Sequence, residues 1–198
     1  MLFQPALLRV AEPVVRHELA DGAWVDIARG WLADADDLFE RLLSGVDWKA
    51  ERRPMYDRVV DVPRLTAHYE PDQPWPDPRL VDLRDMLNDR YAPALGEPLV
   101  SVGLCWYRDG SDSVAWHGDT IGRAKREDTV VAIVSLGAER TLALRPVGGG
   151  ASLRFRVAHG DLLVMGGSCQ RTWEHAVPKT ARPVGPRISV QFRPFGVR

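Results

Sequence analysis

The spacing of apolar residues changes near the middle of this chain of 198 residues. Up to residue 97 the apolar positions mostly recur at helical intervals, whereas from residue 98 they form short runs separated by Gly, Asp and Pro. The runs predict eight strands, at residues 99–107, 114–119, 129–136, 140–146, 152–157, 161–166, 173–177 and 187–193. Eight short strands with tight turns indicate a jelly roll, or double-stranded β-helix. The expected fold class is α+β, mainly β.

Two helices are predicted before these strands. The first covers residues 31–45 and has Asp36 and Asp37 in its first turn, where acidic side chains complement the helix dipole. The second begins with Asp77 as its cap and Pro78 in its first turn. Both helices are expected to buttress one face of the sheets from the N-terminal side of the chain.

The composition is that of a globular protein, with 45% hydrophobic and 27% charged residues. No run reaches the ~20 apolar residues of a membrane span, and the first residues lack the basic segment of a secretory signal. Two cysteines form no disulfide framework. We therefore expect a cytoplasmic protein with no membrane partner.

The net charge of −1 gives no overall attraction to nucleic acid, so any site that binds nucleic acid must be a local basic patch.

Histidine followed two positions later by an acidic residue can offer two ligands to one cation, because alternate side chains of a strand point the same way. The chain has three such pairs, although its composition predicts fewer than one. They are His68 with Glu70, His117 with Asp119, and His159 with Asp161. At most one pair is expected to bind a metal.

A third ligand favours the middle pair. Four predicted strands separate Asp119 from His175, which is enough chain to wind round a barrel and return. Two His and one carboxylate leave one face of an iron(II) ion open for a cosubstrate and oxygen. Asp161 lies only 14 residues before His175 and is interpreted as part of a turn, whereas His68 is expected to line a surface or substrate loop. The alternative for the triad is a surface turn beside an unrelated histidine.

The last predicted strand has one polar face, formed by Arg187, Ser189, Gln191 and Arg193. A buried guanidinium needs an anion, and its planar fork matches a carboxylate. A dicarboxylate cosubstrate would satisfy these arginines, and the strand follows His175 closely enough to place that anion beside the metal. The alternative is an edge strand with solvated arginines.

The order of these motifs resembles that of the AlkB family of nucleic-acid demethylases, which are iron(II)- and 2-oxoglutarate-dependent dioxygenases. The order is His-x-Asp, a distal His, and then two arginines six positions apart on one strand. Flanking segments are also similar, namely VPRLTAHY at 62–69, YRDGSDSVAWHGD at 107–119, IVSLGAERTLALR at 133–145, HGDLLVMGG at 159–167 and WEHAVPK at 173–179. The similarity extends from residue 48 to residue 195.

The resemblance implies roles for individual residues. The implied iron(II) ligands are His117, Asp119 and His175. Arg187 would pair with the distal carboxylate of 2-oxoglutarate. Further contacts with this cosubstrate are implied for Tyr107, Arg193, Ser189 and Cys105. Ser189 and Cys105 stand where the family has Asn, and Gln191 stands where it has Thr, so some hydrogen bonds must be rebuilt.

The implied activity is oxidative demethylation of N-alkylated bases in DNA, a repair reaction that releases formaldehyde, succinate and CO2. Residues 1–198 would form a single dioxygenase domain, with helices and a nucleotide-recognition lid in 1–97 and the catalytic jelly-roll core in 98–198. The target base must be single-stranded or flipped out of a duplex. Substrate contacts are predicted at Arg64, His68, Tyr69, Trp116, Ile121 and Arg123.

Several of these substrate contacts lie in a basic segment at residues 48–69 or in the cluster Arg123, Lys125 and Arg126. Trp116 either sandwiches the base or fills the core, and core packing is favoured. The family often has an acidic residue two positions after the metal Asp, where it helps to read the base, but this chain has Ile121. We therefore expect retained oxygenase chemistry with a shifted or broadened substrate.

Other functions stay open at this point. The same chemistry on RNA, a protein side chain or a small molecule agrees with Ile121 and with the near-neutral net charge. A noncatalytic jelly-roll binding module or a zinc hydrolase would use the same three ligands. No partner-binding stripe stands out, so a monomer without an obligate protein partner is expected.

Overall fold

A computed structural model describes residues 13–55 and 58–197, except for the side chains of residues 51–61. The first twelve residues, which carry the inference about a secretory signal, and the side chains of much of the basic segment at 48–69 lie outside this description. The described part contains three α-helices, α1 (Ala35–Gly45), α2 (Pro78–Leu95) and α3 (Cys169–Thr172). None of the described helices is long and apolar enough to cross a membrane.

Within the same residues, twelve strands form two antiparallel sheets. They are β1 (Val15–Glu18), β2 (Ala23–Ala28), β3 (Lys49–Met55), β4 (Arg58–Tyr69), β5 (Leu99–Tyr107), β6 (Val114–His117), β7 (Val131–Gly137), β8 (Arg140–Pro146), β9 (Leu153–Val157), β10 (Leu162–Gly167), β11 (Trp173–Val177) and β12 (Arg187–Pro194). The larger sheet has the order β1-β2-β10-β7-β12-β5-β4-β3, and the smaller has the order β6-β11-β8-β9.

Two apolar cores hold these layers together. One core lies between the larger sheet and helices α1 and α2, and it includes Leu38, Leu83 and Val190. The other lies between the two sheets and includes Ile133 and Leu144. Where a strand of the larger sheet is covered on both faces, alternate residues therefore pack into the first core and into the second core. The polar face of β12 is directed towards the second sheet, and its apolar face towards the helices.

The predicted jelly roll with buttressing helices is confirmed. Each of the eight predicted strands is present, and no strand end differs from its predicted position by more than two residues. The first half of the chain, however, contains four strands that were not predicted. β2 is buried along most of its length and so shows no alternation, and β1 is a four-residue strand exposed throughout. The division of the chain at residue 97 stays a prediction, although β2 and β4 pair across it with β10 and β5.

Reciprocal ion pairs join α1 to α2. Asp34, which precedes α1, accepts hydrogen bonds from Nε and Nη2 of Arg79 at 2.9 Å each. Asp77, which precedes α2, accepts one from Nε of Arg41 at 2.6 Å. Asp77 also accepts the backbone N–H of Arg79 at 2.8 Å, which confirms its predicted role as a cap. The carboxylate at the start of each helix is thus bonded to an arginine of the other.

A buried carboxylate joins β1, β2 and α2. Asp26 receives two hydrogen bonds from Arg16, at 2.7 and 2.9 Å, and a third from the hydroxyl of Tyr91 at 3.1 Å. The guanidinium of Arg16 also lies 3.9 Å from the ring centroid of Trp24. Burial raises the pKa of Tyr91 to about 12, and the neighbouring Asp26 acts in the same direction.

Candidate active site

Three side chains with metal-binding atoms meet between the two sheets. The ligand atoms of His117, Asp119 and His175 all lie within 4.8 Å of one another, and no other group of this kind is found among the described residues. β6 and β11 pair so that His117 lies opposite His175, with ring centroids 4.2 Å apart. The chain between them passes through β7, β8, β9 and β10, which is the predicted circuit of four strands.

The ring of His117 is oriented for metal binding. Its Nδ1–H donates to the carbonyl oxygen of Ala115 at 2.9 Å, because a carbonyl can only accept. In the neutral ring the other nitrogen, Nε2, then carries the lone pair, and it lies 3.7 Å from Oδ1 of Asp119. A hydrogen bond that fixes one ring nitrogen of a histidine and leaves the other for a cation is typical of metal sites.

Asp119 is positioned in a way that the sequence did not indicate. The predicted strand through residue 119 is wrong at its end, because β6 stops at His117. Instead, Oε1 of Gln170 on α3 accepts the backbone N–H of Asp119 at 2.9 Å, and Gln170 is only 1% exposed. A Cβ on Gly118 would lie 2.4 Å from the carbonyl oxygen of Gln170, so the residue between the two ligands must be small. Gln170 was missed because no local pattern shows that α3 packs beside the metal loop.

The electrostatic environment favours the metal-binding forms of two ligands. Burial is the largest single influence on Asp119 and opposes its ionisation, but the charge and hydrogen bond of Arg193 together with the two histidines outweigh it, and the pKa of Asp119 falls to about 2. Nε of Arg193 donates to Oδ2 of Asp119 at 2.8 Å. Burial lowers the pKa of His175 to about 3, with His117 acting in the same direction. Near neutral pH Asp119 is ionised and His175 is neutral, as coordination requires.

The His159 and Asp161 pair is part of a turn, as predicted. Nδ1 of His159 accepts the backbone N–H of Gly137 at 2.8 Å. Asp161 accepts the backbone N–H of Gly30 at 2.9 Å and pairs with Arg29 at 2.5 Å. Both side chains therefore hold neighbouring loops together through hydrogen bonds and an ion pair.

Arg187 is a buried cation that lines the same cavity as the metal-binding group. It is 2% exposed, its Nε donates to Oγ of Ser135 at 2.9 Å, and its guanidinium lies 5.4 Å from the ring centroid of Tyr107. Its Nη1 is buried and has no hydrogen-bond partner among the described residues. Burial lowers the pKa of Arg187. A buried guanidinium with an open donor is completed by an anionic ligand.

The polar face of β12 lines this cavity. β12 pairs with β5 on one side and with β7 on the other, so it is not the solvated edge strand that was the alternative. Nε2 of Gln191 donates to Oγ of Ser189 at 3.0 Å, and Sγ of Cys105 lies 3.9 Å from Oε1 of Gln191. A Cβ on Gly103 would lie 2.8 Å from Nη1 of Arg193, so the glycine leaves room for the arginine that bonds the metal ligand.

The cavity has a volume of about 180 Å3 and is walled on its apolar side by β7 and β8 residues such as Ile133 and Leu142. Its size suits a small dicarboxylate beside a metal ion. Ten of the predicted site residues line it, namely Arg64, Cys105, Tyr107, His117, Asp119, Ile121, His175, Arg187, Ser189 and Arg193. Their individual roles stay predictions.

Two predicted substrate contacts on β4 are not brought to the cavity wall. Tyr69 lies opposite Val102 and packs against the core beneath the helices, on the face of the sheet away from this cavity, and its contact with substrate stays a prediction. His68 is on the other face, opposite Gly103, and its Nε2 lies 3.1 Å from Oε1 of Glu70. Strand alternation separates the two neighbours, so only His68 points to the side of the sheet that faces the cavity.

Trp116 and Arg123 also lie outside the cavity wall. The guanidinium of Arg145 lies 4.3 Å from the ring centroid of Trp116. Arg123 forms ion pairs with Glu97 and Glu127 and donates from Nε to the carbonyl oxygen of Phe195 at 2.8 Å. The guanidinium of Arg123 therefore joins two loops, and a contact with substrate stays a prediction for both residues.

A family model described as the 2OG-Fe(II) oxygenase superfamily matches residues 63–193, the segment that contains the three metal-binding residues and Arg187. The chain belongs to this superfamily. Iron(II) and 2-oxoglutarate are therefore confirmed as the cofactor and cosubstrate of the family to which this oxygenase belongs. The match also agrees with the jelly-roll fold, because it covers β5 to β11 and nearly all of β12.

Curated proteins with AlkB names are similar to the oxygenase over most of this chain, which confirms the resemblance. It is 31% identical to the alpha-ketoglutarate-dependent dioxygenase alkB homolog 3 of Bos taurus, over 82% of this chain and 62% of that protein. It is 26% identical to the DNA oxidative demethylase ALKBH2 of Homo sapiens, over 92% of this chain and 77% of that protein. The chain spans 60 to 62% of the length of the alkB homolog 3 proteins that it matches.

Solved structures show the same fold. The structure of OsALKBH1 superposes with a TM-score of 0.62 at 16% identity, over 85% of this chain and 97% of that one. An oxidoreductase of the 2OG-Fe(II) oxygenase family from Burkholderia pseudomallei superposes with a TM-score of 0.55 at 15% identity, over 79% of this chain and 76% of that one. At these identities the likeness concerns the fold alone.

Proposed function

We propose that this oxygenase is an AlkB-type dioxygenase that oxidatively removes N-alkyl groups from nucleobases in DNA and releases formaldehyde, succinate and CO2. The observation that carries the proposal is the cavity in which the three metal-binding residues face the open donor of Arg187. DNA as the substrate is supported by relatives whose names describe DNA oxidative demethylases.

The residues present fit both the metal and the cosubstrate. His117, Asp119 and His175 supply two nitrogens and one carboxylate oxygen within 4.8 Å of one another, which is the donor set of the facial triad. Arg187 offers a buried, charged donor with no protein partner among the described residues, as a carboxylate ligand requires. Tyr107 lies beside Arg187 and lines the same cavity, so its hydroxyl is our candidate for a second contact with that carboxylate.

Iron(II) with 2-oxoglutarate and O2 supplies the oxidation, in which one oxygen atom hydroxylates the N-alkyl carbon and the other enters succinate as CO2 leaves. The protein orients the reactants and excludes water. Arg193 holds Asp119 ionised and in place, and Ile133 and Leu142 keep the inner wall apolar. The hydroxylated N-methyl group then loses its C–N bond: the hydroxyl proton passes to the base nitrogen and the carbon leaves as formaldehyde.

The proposal is tested by turnover of single-stranded DNA oligonucleotides that carry N-methylated bases. Formaldehyde and succinate should appear together, and both should require iron(II). His117→Ala should abolish formation of both products. His159→Ala should form both, because His159 belongs to the His-x-Asp pair that lies in a turn. Succinate that forms without iron(II), or that persists in His117→Ala, would contradict the assignment. The absence of any succinate would favour a binding module or a zinc hydrolase.

A second candidate is the same chemistry on RNA, on a protein side chain or on a small molecule. Ile121 favours it, because this residue is 67% exposed at the cavity and offers no hydrogen bond to a base. A parallel panel of methylated RNA oligonucleotides decides between the nucleic acids by formaldehyde released per enzyme. A role in DNA repair, a cytoplasmic location and a monomeric state belong to the main proposal.

A further inference from the structure

A second pocket opens beside the metal cavity. Its volume is about 280 Å3, and it is lined by Glu70, Ser101, Ile121, Gly122, Phe195, Gly196 and Val197. Ile121 lines both the second pocket and the metal cavity, so the two share a wall. Any group held in the second pocket is therefore a close neighbour of the group held over the metal.

Two exposed apolar side chains form this second pocket. Ile121 is 67% exposed and Phe195 is 73% exposed. Single exposed apolar residues are ordinary on protein surfaces. Here, however, an aromatic and an aliphatic side chain line one concave site next to the metal-binding residues. This arrangement suits a flat apolar surface such as the face of a nucleobase.

The backbone that carries these two side chains is held in place. Gly122 pairs with Val197 in an isolated β-bridge and has a φ of +86°, and a Cβ on it would lie 2.1 Å from the carbonyl oxygen of Gly196. The backbone N–H of Arg123 donates to the same carbonyl oxygen at 3.2 Å. Its side chain donates to the carbonyl oxygen of Phe195 at 2.8 Å. The loop after the metal motif and the turn after β12 are thus joined at three consecutive residues.

We propose that this second pocket binds an unpaired nucleobase adjacent to the base whose alkyl group is oxidised, with Phe195 as its stacking surface. The inference rests on the proposed function. The volume lies just below the ~300 Å3 at which pockets for drug-sized ligands begin, so it accommodates a single ring system. The wall shared through Ile121 makes its occupant adjacent to the metal cavity, as the base of a neighbouring nucleotide in a single strand would be.

Stacking also agrees with the charges around this pocket. Its charged lining residue is Glu70, and the nearby Arg123 is bonded to Glu97 and Glu127. Contacts with phosphate would make binding depend steeply on salt, whereas stacking on an aromatic ring does not. The contribution of Phe195 should therefore be the same at low and at high ionic strength.

The test is steady-state demethylation of a single-stranded oligonucleotide by wild-type protein, Phe195→Ala, Phe195→Trp and Met86→Ala. Phe195→Ala should raise the KM for the oligonucleotide about tenfold, the effect of one lost base–aromatic stack, at every salt concentration. Its kcat and its KM for 2-oxoglutarate should not change. Phe195→Trp should restore the wild-type KM. Met86→Ala removes another exposed apolar side chain, from α2, and should have no effect.

A second set of substrates identifies the occupant. An abasic nucleotide on one side of the methylated base should raise the KM of the wild type as much as the substitution Phe195→Ala does. The KM of Phe195→Ala should be the same for this abasic substrate as for the intact oligonucleotide. The inference is wrong if both abasic substrates keep the wild-type KM, or if Phe195→Ala behaves like Met86→Ala while the wild type is active. If the wild type demethylates no oligonucleotide at all, both the proposed function and this inference are wrong.

Discussion

The buried guanidinium of Arg187 is the strongest indication of an anionic ligand in the cavity. Replacing it with Gln should weaken the binding of 2-oxoglutarate about ten- to hundredfold, because a hydrogen bond to a charged group contributes about 1.5–3 kcal/mol. Arg187→Lys should restore binding only in part, since an ammonium is a point charge without the planar fork. The measurement is a titration of the metal-loaded protein with 2-oxoglutarate in the absence of oxygen. Arg156→Gln, on the exposed strand β9, is the control, and equal affinities in both variants would contradict the assignment.

Gln170 should act on the metal through Asp119. We expect Gln170→Leu to lower the affinity for a divalent cation such as Co(II) about ten- to hundredfold, the usual effect of losing a group that orients a metal ligand. The affinity is measured by titration of the metal-free protein and does not depend on turnover. Arg171→Gln changes the next residue of α3, which is exposed and pairs with Asp128, and should leave the affinity unchanged. A loss in both variants would indicate that α3 itself had unfolded.

At this scale the sequence predicts ligands better than the residues that position them. The His-x-Asp motif and the two arginines of β12 are visible because strand periodicity places their side chains on one face. Gln170 reaches the backbone of Asp119 from an element 51 residues further along the chain, and no spacing rule connects the two. The face on which Tyr69 lies could not be predicted for a related reason, since it depends on the register of β4 against β5.

Among the elements, α2 depends on its cap. Asp77→Ala removes the cap of α2 and the partner of Arg41 on α1, so it should lower the free energy of unfolding by about 1–2 kcal/mol. Urea unfolding followed by circular dichroism measures this difference. Asp89→Ala, at an exposed position of the same helix, should change the stability by less than about 0.5 kcal/mol. Similar losses in both variants would argue against a specific role for the cap.

The strands after residue 98 were predicted well, including β7 and β10, which are buried on both faces. They are visible as short apolar or alternating runs between Gly, Asp and Pro. β2 is also largely buried, but the charged Asp26 interrupts its apolar run, and β1 is short and exposed. The end of β6 was placed two residues late because the metal loop continues its polar pattern beyond the last paired residue.

For the molecule as a whole, Tyr91 should make stability depend on alkaline pH. The folded protein raises the pKa of Tyr91 to about 12 from its usual 10, so folding favours the protonated hydroxyl. The resulting stabilisation is complete below pH 10 and is lost as the pH rises through 12; two pKa units correspond to about 2–3 kcal/mol. The difference in unfolding free energy between wild type and Tyr91→Phe should shrink over this range. A constant difference from pH 9 to pH 12 would contradict the prediction.

The pairing of β12 between β5 and β7 also affects how the molecule is made. Both partner strands leave the ribosome before residue 187, so the larger sheet has a gap at its centre until β12 is synthesised. Arg187 and Arg193 enter the molecule with the strand that fills this gap. The step that closes the sheet is therefore also the step that creates the anion site and secures Asp119. A nascent chain that lacks β12 can present its histidines to a metal ion but lacks both the arginine that we propose to hold the cosubstrate and the arginine that bonds Asp119.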